Sequence, residues 1–245
     1  MKKVVVLVPI YKPELDAKEQ YSLDLSFKTL AGRDIRFIGP EGLDLRLYQE
    51  RYPSVPFIPF EAEYFRSIPG YNRLLMSTAF YEGFSDYEFM LILQTDALVL
   101  RDELDWWCDQ PFDYVGAPWP DGYELFVNAG PFDGANGKRV KVFVGNGGFS
   151  LRRNRKCISL IKEFEGDVMM IFERTGSSED LFFSFMGALS GDFIIPNEIT
   201  ASRFSLELKP AHYVAVNGGK LPMGGHAWWK HDPDFWKRLL PDLPV

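Results

Sequence analysis

The sequence predicts an α/β domain whose central sheet is mixed, mainly parallel and flanked by helices, and three observations carry that prediction. Apolar, β-branched runs alternate with stretches of helical periodicity over the first hundred residues, the order expected of parallel strands joined by covering helices. The run from Glu88 to Leu100 is too apolar for a strand with one wet face, so it reads as buried on both. That run also carries a carboxylate, Asp96, at its carboxyl end. Open α/β sheets bind ligands at that end, and an uncompensated charge there would be costly.

Each element follows from local signals. Val4 to Val8 is a β-branched run closed by Pro9, the mark of a buried first strand. Pro13 opens a helical stretch through Leu15, Leu23, Leu25, Phe27 and Leu30, stopped at Gly32. Asp34 to Ile38 and Val55 to Phe60 read as strands around a small helix, Leu43 to Glu50. Pro69-Gly70 then leads into a helix predicted over Tyr71 to Tyr81. Beyond the apolar strand, Asp102 to Cys108 reads as a short capped helix and Asp113 to Ala117 as a strand. Pro118 to Lys141 is rich in Gly, Pro, Asp and Asn, which predicts a long loop, flexible over 119–141. Asn154 to Phe164, Ser178 to Leu189 and Asp232 to Leu240 read as helices, and Phe193 to Ile195 as a strand. With no internal repeat, low-complexity tract or boundary, one domain over residues 1–245 is expected.

Composition narrows the function. The 245 residues are 46% hydrophobic and 25% charged, ordinary for a globular core. Aromatics reach 16%; most are expected in the core, and a few can stack on sugars or bases. The net charge of −7 and the absence of a dense basic footprint argue against a nucleic acid polymer as partner. Lys138-Arg139-Val140-Lys141 and Arg152 to Lys156 are the densest basic runs. They read as solvated faces that could also meet a diphosphate or an anionic membrane surface, so peripheral membrane contact stays open. Cys108 and Cys157 make no disulfide framework in a chain of this size. The N-terminal apolar run is too short for a signal peptide, and no stretch of about twenty apolar residues spans a bilayer. A soluble, cytoplasmic protein without a transmembrane segment is expected.

Four segments set polar residues in apolar or glycine-rich surroundings. Gln94-Thr95-Asp96 ends the apolar strand, and Asp96 is a candidate metal or substrate ligand. Gly145-Asn146-Gly147-Gly148-Phe149-Ser150 allows close backbone approach to a ligand. Alone it would read as a tight turn or bulge, and it lacks dinucleotide and Walker spacings. Ser178-Glu179-Asp180 suits a helix N-terminus electrostatically; read functionally, a carboxylate there is a general base for an incoming hydroxyl. Gly224-Gly225-His226-Ala227-Trp228-Trp229 holds one of three histidines in a loop that could fold over a ligand. Asp and His, with water and phosphate oxygens, suit Mn²⁺ or Mg²⁺. No pattern favours zinc.

In order and spacing, these segments resemble glycosyltransferases of the Rossmann-like GT-A fold. Together with Asp102 to Cys108, Tyr114 to Trp119 and Gly225 to Trp228, they resemble more closely a functionally unassigned family of glycosyltransferase-like domains. The resemblance implies a nucleotide-sugar donor over residues 1–110 and a saccharide or glycoconjugate acceptor over 111–245. Gln94-Thr95-Asp96 stands where such enzymes carry D-x-D. Asp96 is then the metal ligand and Gln94 a ribose contact, with His226 completing the shell around Mn²⁺ or Mg²⁺. Asn146, Gly147 and Gly148 border the donor sugar and acceptor. Glu179 and Asp180 form the acidic catalytic pair, with Asp180 as base in an inverting transfer. Pro9 and Tyr11 fall at the nucleobase, Tyr71, Asn72 and Arg73 beside the nucleotide, and Trp228 in the loop over the ligand. The expected function is metal-dependent sugar transfer, from a UDP-sugar by preference, in polysaccharide biosynthesis. The alternative is an inactive glycan- or nucleotide-binding module, supported by Gln94 in place of a carboxylate. A nucleotidyltransferase ranks last, because Val8 to Pro13 lacks the glycines of a phosphate loop.

Overall fold

The computed structural model describes residues 1–128, 130–175, 177–240 and 242. The chain begins with β1 (Lys2–Pro9), α1 (Ala17–Thr29), β2 (Asp34–Pro40), α2 (Arg46–Arg51) and β3 (Phe57–Phe60). It continues through α3 (Ile68–Leu75), α4 (Thr78–Glu82), β4 (Tyr87–Leu93), β5 (Ala97–Val99), α5 (Leu104–Cys108) and β6 (Tyr114–Val115). A hairpin of β7 (Pro118–Val127) and β8 (Lys138–Val144) precedes β9 (Phe149–Arg153) and the helices α6 (Asn154–Glu163), α7 (Asp167–Thr175), α8 (Glu179–Leu189) and α9 (Glu198–Phe204). Last come β10 (Ser205–Leu206), α10 (Pro210–Val216), β11 (Gly224–His226) and α11 (Pro233–Leu239).

Six strands form the main sheet in the order β3-β2-β1-β4-β9-β6. The pairs among β3, β2, β1 and β4 are parallel, while β9 runs antiparallel to both β4 and β6. The expected mixed, mainly parallel sheet is present. Strand alternation sends side chains to two cores. Val5 and Leu7 of β1, with Met90 and Ile92 of β4, pack against α3, α4, α6 and α8 on one face. Val4, Val6 and Val8, with Leu91 and Leu93, meet Leu23, Trp107 and Phe204 on the other. Both faces of β4 are therefore dry, which explains its unbroken apolar run.

Several sequence expectations change. The first long helix starts at Ala17 rather than Pro13, because Asp16 and Glu19 form a capping box: the Asp16 carboxylate accepts from the Lys18 and Glu19 N–H groups, and Glu19 accepts from Asp16. The helix expected over Tyr71 to Tyr81 is two helices, since the Ser77 hydroxyl accepts from Phe80 N–H and begins a new one. Most of the loop expected over 119–141 is the β7–β8 hairpin, whose cross-strand pairs run from Tyr123–Val142 to Val127–Lys138. Glycines and a register shift had hidden its alternation; Ala129, within that span, lies outside the described residues. Phe193 to Ile195 carries no strand. The small sheet β10-β11-β5 was not anticipated, its strands being only two or three residues long.

Candidate active site at the carboxyl edge of the sheet

β1 is followed by β2 on one side, whereas β4 lies on its other side, so the strand order reverses between them. A crevice opens outside the carboxyl ends at such a reversal. Here it is a cavity of about 740 Å³. Pro9 and Tyr11 reach it from the end of β1, Gln94 to Asp96 from the end of β4, and Tyr71 and Asn72 from α3. Asn146, Gly147 and Gly148 come from the turn before β9, Glu179 and Asp180 from the start of α8, and His226 from β11.

The Gln94-Thr95-Asp96 turn is held from several directions. Gln94 N–H donates to the Gly148 carbonyl (2.8 Å), and Ala227 N–H donates to the Asp96 carbonyl (3.0 Å). The Thr95 hydroxyl donates to Glu19 Oε1 (2.8 Å), tying the turn to the capping box of α1. β11 pairs with β5 through His226–Ala97, which brings the imidazole to the Asp96 carboxylate across 130 residues of chain.

At the centre, His226 Nε2 lies 3.1 Å from Asp96 Oδ1 and 3.3 Å from Gln94 Oε1, while its Nδ1 is 2.9 Å from Glu207 Oε2. Lys230 Nζ takes the other Asp96 oxygen, Oδ2, at 2.7 Å. Burial alone would raise the Asp96 pKa, but His226 and Lys230 hold the carboxyl well below the usual range. Burial would likewise lower that of His226, yet its bonds to Asp96 and Glu207 raise it to about 10. The imidazolium, in the metal-free protein, thus adds stability that is fully present below about pH 6.5 and is lost as the pH rises towards 10. The gap in melting temperature between wild type and His226→Gln is expected to close across that window. A gap that stays constant with pH contradicts the assignment.

Three of these side chains are the ones that could hold a hard divalent cation. Asp96 Oδ1, Gln94 Oε1 and His226 Nε2 converge, and Glu207 at Nδ1 is the orienting partner that metal-binding histidines have. Gly148 keeps the space open, since a Cβ there would fall 2.1 Å from His226 Nε2 and 2.6 Å from Gln94 Oε1. Among the described residues no third His, Cys, Asp or Glu joins them. The amide oxygen and ligand oxygens would complete the shell.

The two acids at the start of α8 are held in different ways. Asp180 Oδ1 accepts from Leu181 N–H (2.8 Å) and the Ser178 hydroxyl, while Oδ2 meets Gly147 N–H at 3.4 Å. Glu179 is buried and ion-paired with the fully buried Arg152 (2.8 Å). Burial raises the Glu179 carboxyl to about 7, with Arg152 pulling against it.

Two sequence candidates lie outside the cavity. Arg73 follows Tyr71 by two residues on a helix, which turns it away; it borders a neighbouring hollow of about 220 Å³ with Met76 and Arg174. Trp228 is buried against Leu98, Tyr213 and Trp236, its indole N–H donating to Ser22 (2.8 Å). Ala227, at φ 48°, turns the chain so that Trp229, the residue after Trp228, faces the cavity instead. Sequence reasoning missed Glu19, Glu207 and Lys230, and it placed Arg152 in a solvated basic run although the side chain is fully buried. Only Lys230 left a signal, as a cation four residues after His226.

A sheet of this order, reversing between β1 and β4, has the GT-A fold that glycosyltransferases of known structure share. The galactosyltransferase LgtC, bound to donor and acceptor sugar analogs, superposes with a TM-score of 0.56 at 16% identity, over 98% of this chain and 96% of that one. An active-site mutant of LgtC gives the same values. A glycosyltransferase involved in glycosylation of the major capsid of PBCV-1 matches with a TM-score of 0.47 at 11% identity, over 91% and 92% of the two chains. No curated protein matches. The model of the family described as Protein of unknown function (DUF5672) matches residues 54–226, and the chain belongs to that family. No helix among the described residues is long and apolar enough to cross a membrane.

Proposed function

We propose that this protein is a glycosyltransferase that moves a sugar from a nucleotide-diphosphate sugar, a UDP-sugar by preference, to a hydroxyl of a glycan or glycoconjugate, as in polysaccharide biosynthesis. The observation that carries the reading is the convergence of Asp96, Gln94 and His226 at the switch-point cavity of a GT-A-like sheet. The fold shared with LgtC supports it. Tyr11, exposed at the cavity rim beside Pro9, offers a face on which a base can stack. Asp96, His226 and Gln94 would hold Mn²⁺ or Mg²⁺. Such an ion neutralises charge growing on a departing diphosphate. Lys230 carries a further positive charge within reach of the same phosphates. In an inverting transfer Asp180 would take the acceptor proton on Oδ2, the oxygen bound only weakly to the protein.

The second reading, a binding module without turnover, draws on Gln94 in the first D-x-D position and on the Lys230 ammonium seated on Asp96. A thermal-shift screen of UDP, GDP, ADP and CDP, with and without Mn²⁺, tests the first reading. One diphosphate is expected to raise the melting temperature in a Mn²⁺-dependent way, as mass action requires. A flat response to every nucleotide with metal present overturns nucleotide-sugar use. Binding unaffected by chelator, with no hydrolysis or transfer from the matching sugar nucleotides, favours the second reading.

A further inference from the structure

Beside the cavity, between α3 and α7, lies the hollow of about 220 Å³ that Arg73 borders. The chain ties it to the candidate active site twice. Asn72 lines both spaces. Ser177 borders the hollow, and the next three residues, Ser178, Glu179 and Asp180, line the cavity. The hollow therefore adjoins the flank where Asp180 would meet an acceptor hydroxyl.

Its charge sets it apart. Arg73 and Arg174 each stand in the last turn of their helix, where one cation is favourable. Here two cations share one small hollow, and like charges brought together repel. Among the described residues no carboxylate lines the hollow, and neither guanidinium has an ion pair or hydrogen bond. Arg66, which lines the cavity, likewise has no ion pair among them. The arginines of β9 are committed elsewhere: Arg152 donates to Glu179 Oε1 (2.8 Å) and the Gly147 carbonyl (3.4 Å), and Arg153 pairs with Asp113 (3.0 Å) and Glu88. A chain of net charge −7 has acids to spare, yet these arginines meet none of them.

We propose that this hollow is the subsite for an acidic group, a carboxylate or a phosphate, carried by the saccharide acceptor and held by Arg73 and Arg174 while a hydroxyl of the same molecule reaches Asp180. The acceptor's part in this rests on the glycosyl-transfer reading above. A guanidinium presents a planar fork that pairs two-to-two with the oxygens of either group. The buried Met76 and Phe172 give the hollow apolar walls, beside which a charge-assisted bond is stronger than in open water. Asn72 Nδ2 meets the Ser177 carbonyl only at 3.5 Å, the long limit of a hydrogen bond, and so can turn to a ligand oxygen. A neutral saccharide leaves the two cations as they are, facing each other without a counter-charge.

Calorimetric titration with glucuronate, galacturonate and glucose 6-phosphate, each beside its neutral parent sugar, and with inorganic phosphate, tests this in wild type, Arg73→Gln, Arg174→Gln and the double variant, each checked for cooperative unfolding. Wild type is expected to bind at least one acidic sugar about tenfold more tightly than its parent, the effect of one charge-assisted pair. Either single variant should remove most of that preference, and rising NaCl should shrink it in wild type. The uronates and the sugar phosphate separate the two acid chemistries. Inorganic phosphate bound as tightly as the sugar phosphate reports an adventitious ion only and overturns the subsite. So does the absence of any preference for acidic sugars in wild type, or a preference that survives in the double variant. The two readings fail separately: acidic sugars held by the arginine pair in a protein that binds no nucleoside diphosphate leave the acid subsite standing and remove glycosyl transfer, whereas Mn²⁺-dependent diphosphate binding without the acid preference removes the subsite alone.

Discussion

Asp96→Ala is expected to lower donor hydrolysis and sugar transfer by about 10²–10³-fold, the cost of removing one group aimed at developing charge. The substitution also strips His226 and Lys230 of their shared counter-charge, since Asp96 Oδ1 and Oδ2 each hold one of them. Mn²⁺ affinity should fall with activity, while Asp96→Asn, which keeps the shape, should fold like wild type and still lose turnover. Steady-state rates with the donor found by thermal shift, together with Mn²⁺ titration, make the comparison. Full activity in Asp96→Ala would sink the assignment of this site.

The second large effect is on stability. Arg152→Met leaves the Glu179 carboxylate buried without its cation, and breaking such a pair costs about 3–5 kcal/mol. In a chain of this size that corresponds to a melting temperature lower by roughly 6–20 °C. The double variant Arg152→Met/Glu179→Leu should recover most of the loss, because well-packed apolar groups can replace a buried pair at little cost. The deficit of the single variant should also shrink as the pH falls: Glu179, already pushed up to about 7 by burial, then takes a proton and ceases to be an unpaired charge. Denaturant unfolding of the three variants at pH 5 and pH 8 reads all of this. A single variant as stable as wild type at pH 8 would show that Arg152 does not hold the turn.

What could be read from the chain was what local chemistry dictates. The apolar runs Val4 to Val8 and Glu88 to Leu93 became the two central strands because both their faces are covered. Asp96 could be singled out because a carboxylate after such a run needs a reason to be there. The glycines before Phe149 announced a close approach, and at Gly148 a Cβ would collide with His226 and Gln94. The hairpin over 118–144 was missed because its register shifts between Pro118 and Tyr123, which breaks the alternation that marks a strand. The helix over Tyr71 to Tyr81 broke because a single hydroxyl at Ser77 found an N–H to cap.

The sequence by itself determined the class of the fold, the strand that delivers Asp96 and the segments that surround it. Only the tertiary structure decided the partnerships. Glu207 on His226, Lys230 on Asp96, Arg152 on Glu179 and Glu19 on Thr95 join residues brought together by strand pairing and packing. It also decided which of two adjacent tryptophans faces the cavity, through the left-handed turn at Ala227. Periodicity reports which way a residue faces within its own element. A charge's partner is set by long-range contacts across the sheet, and those leave no local trace.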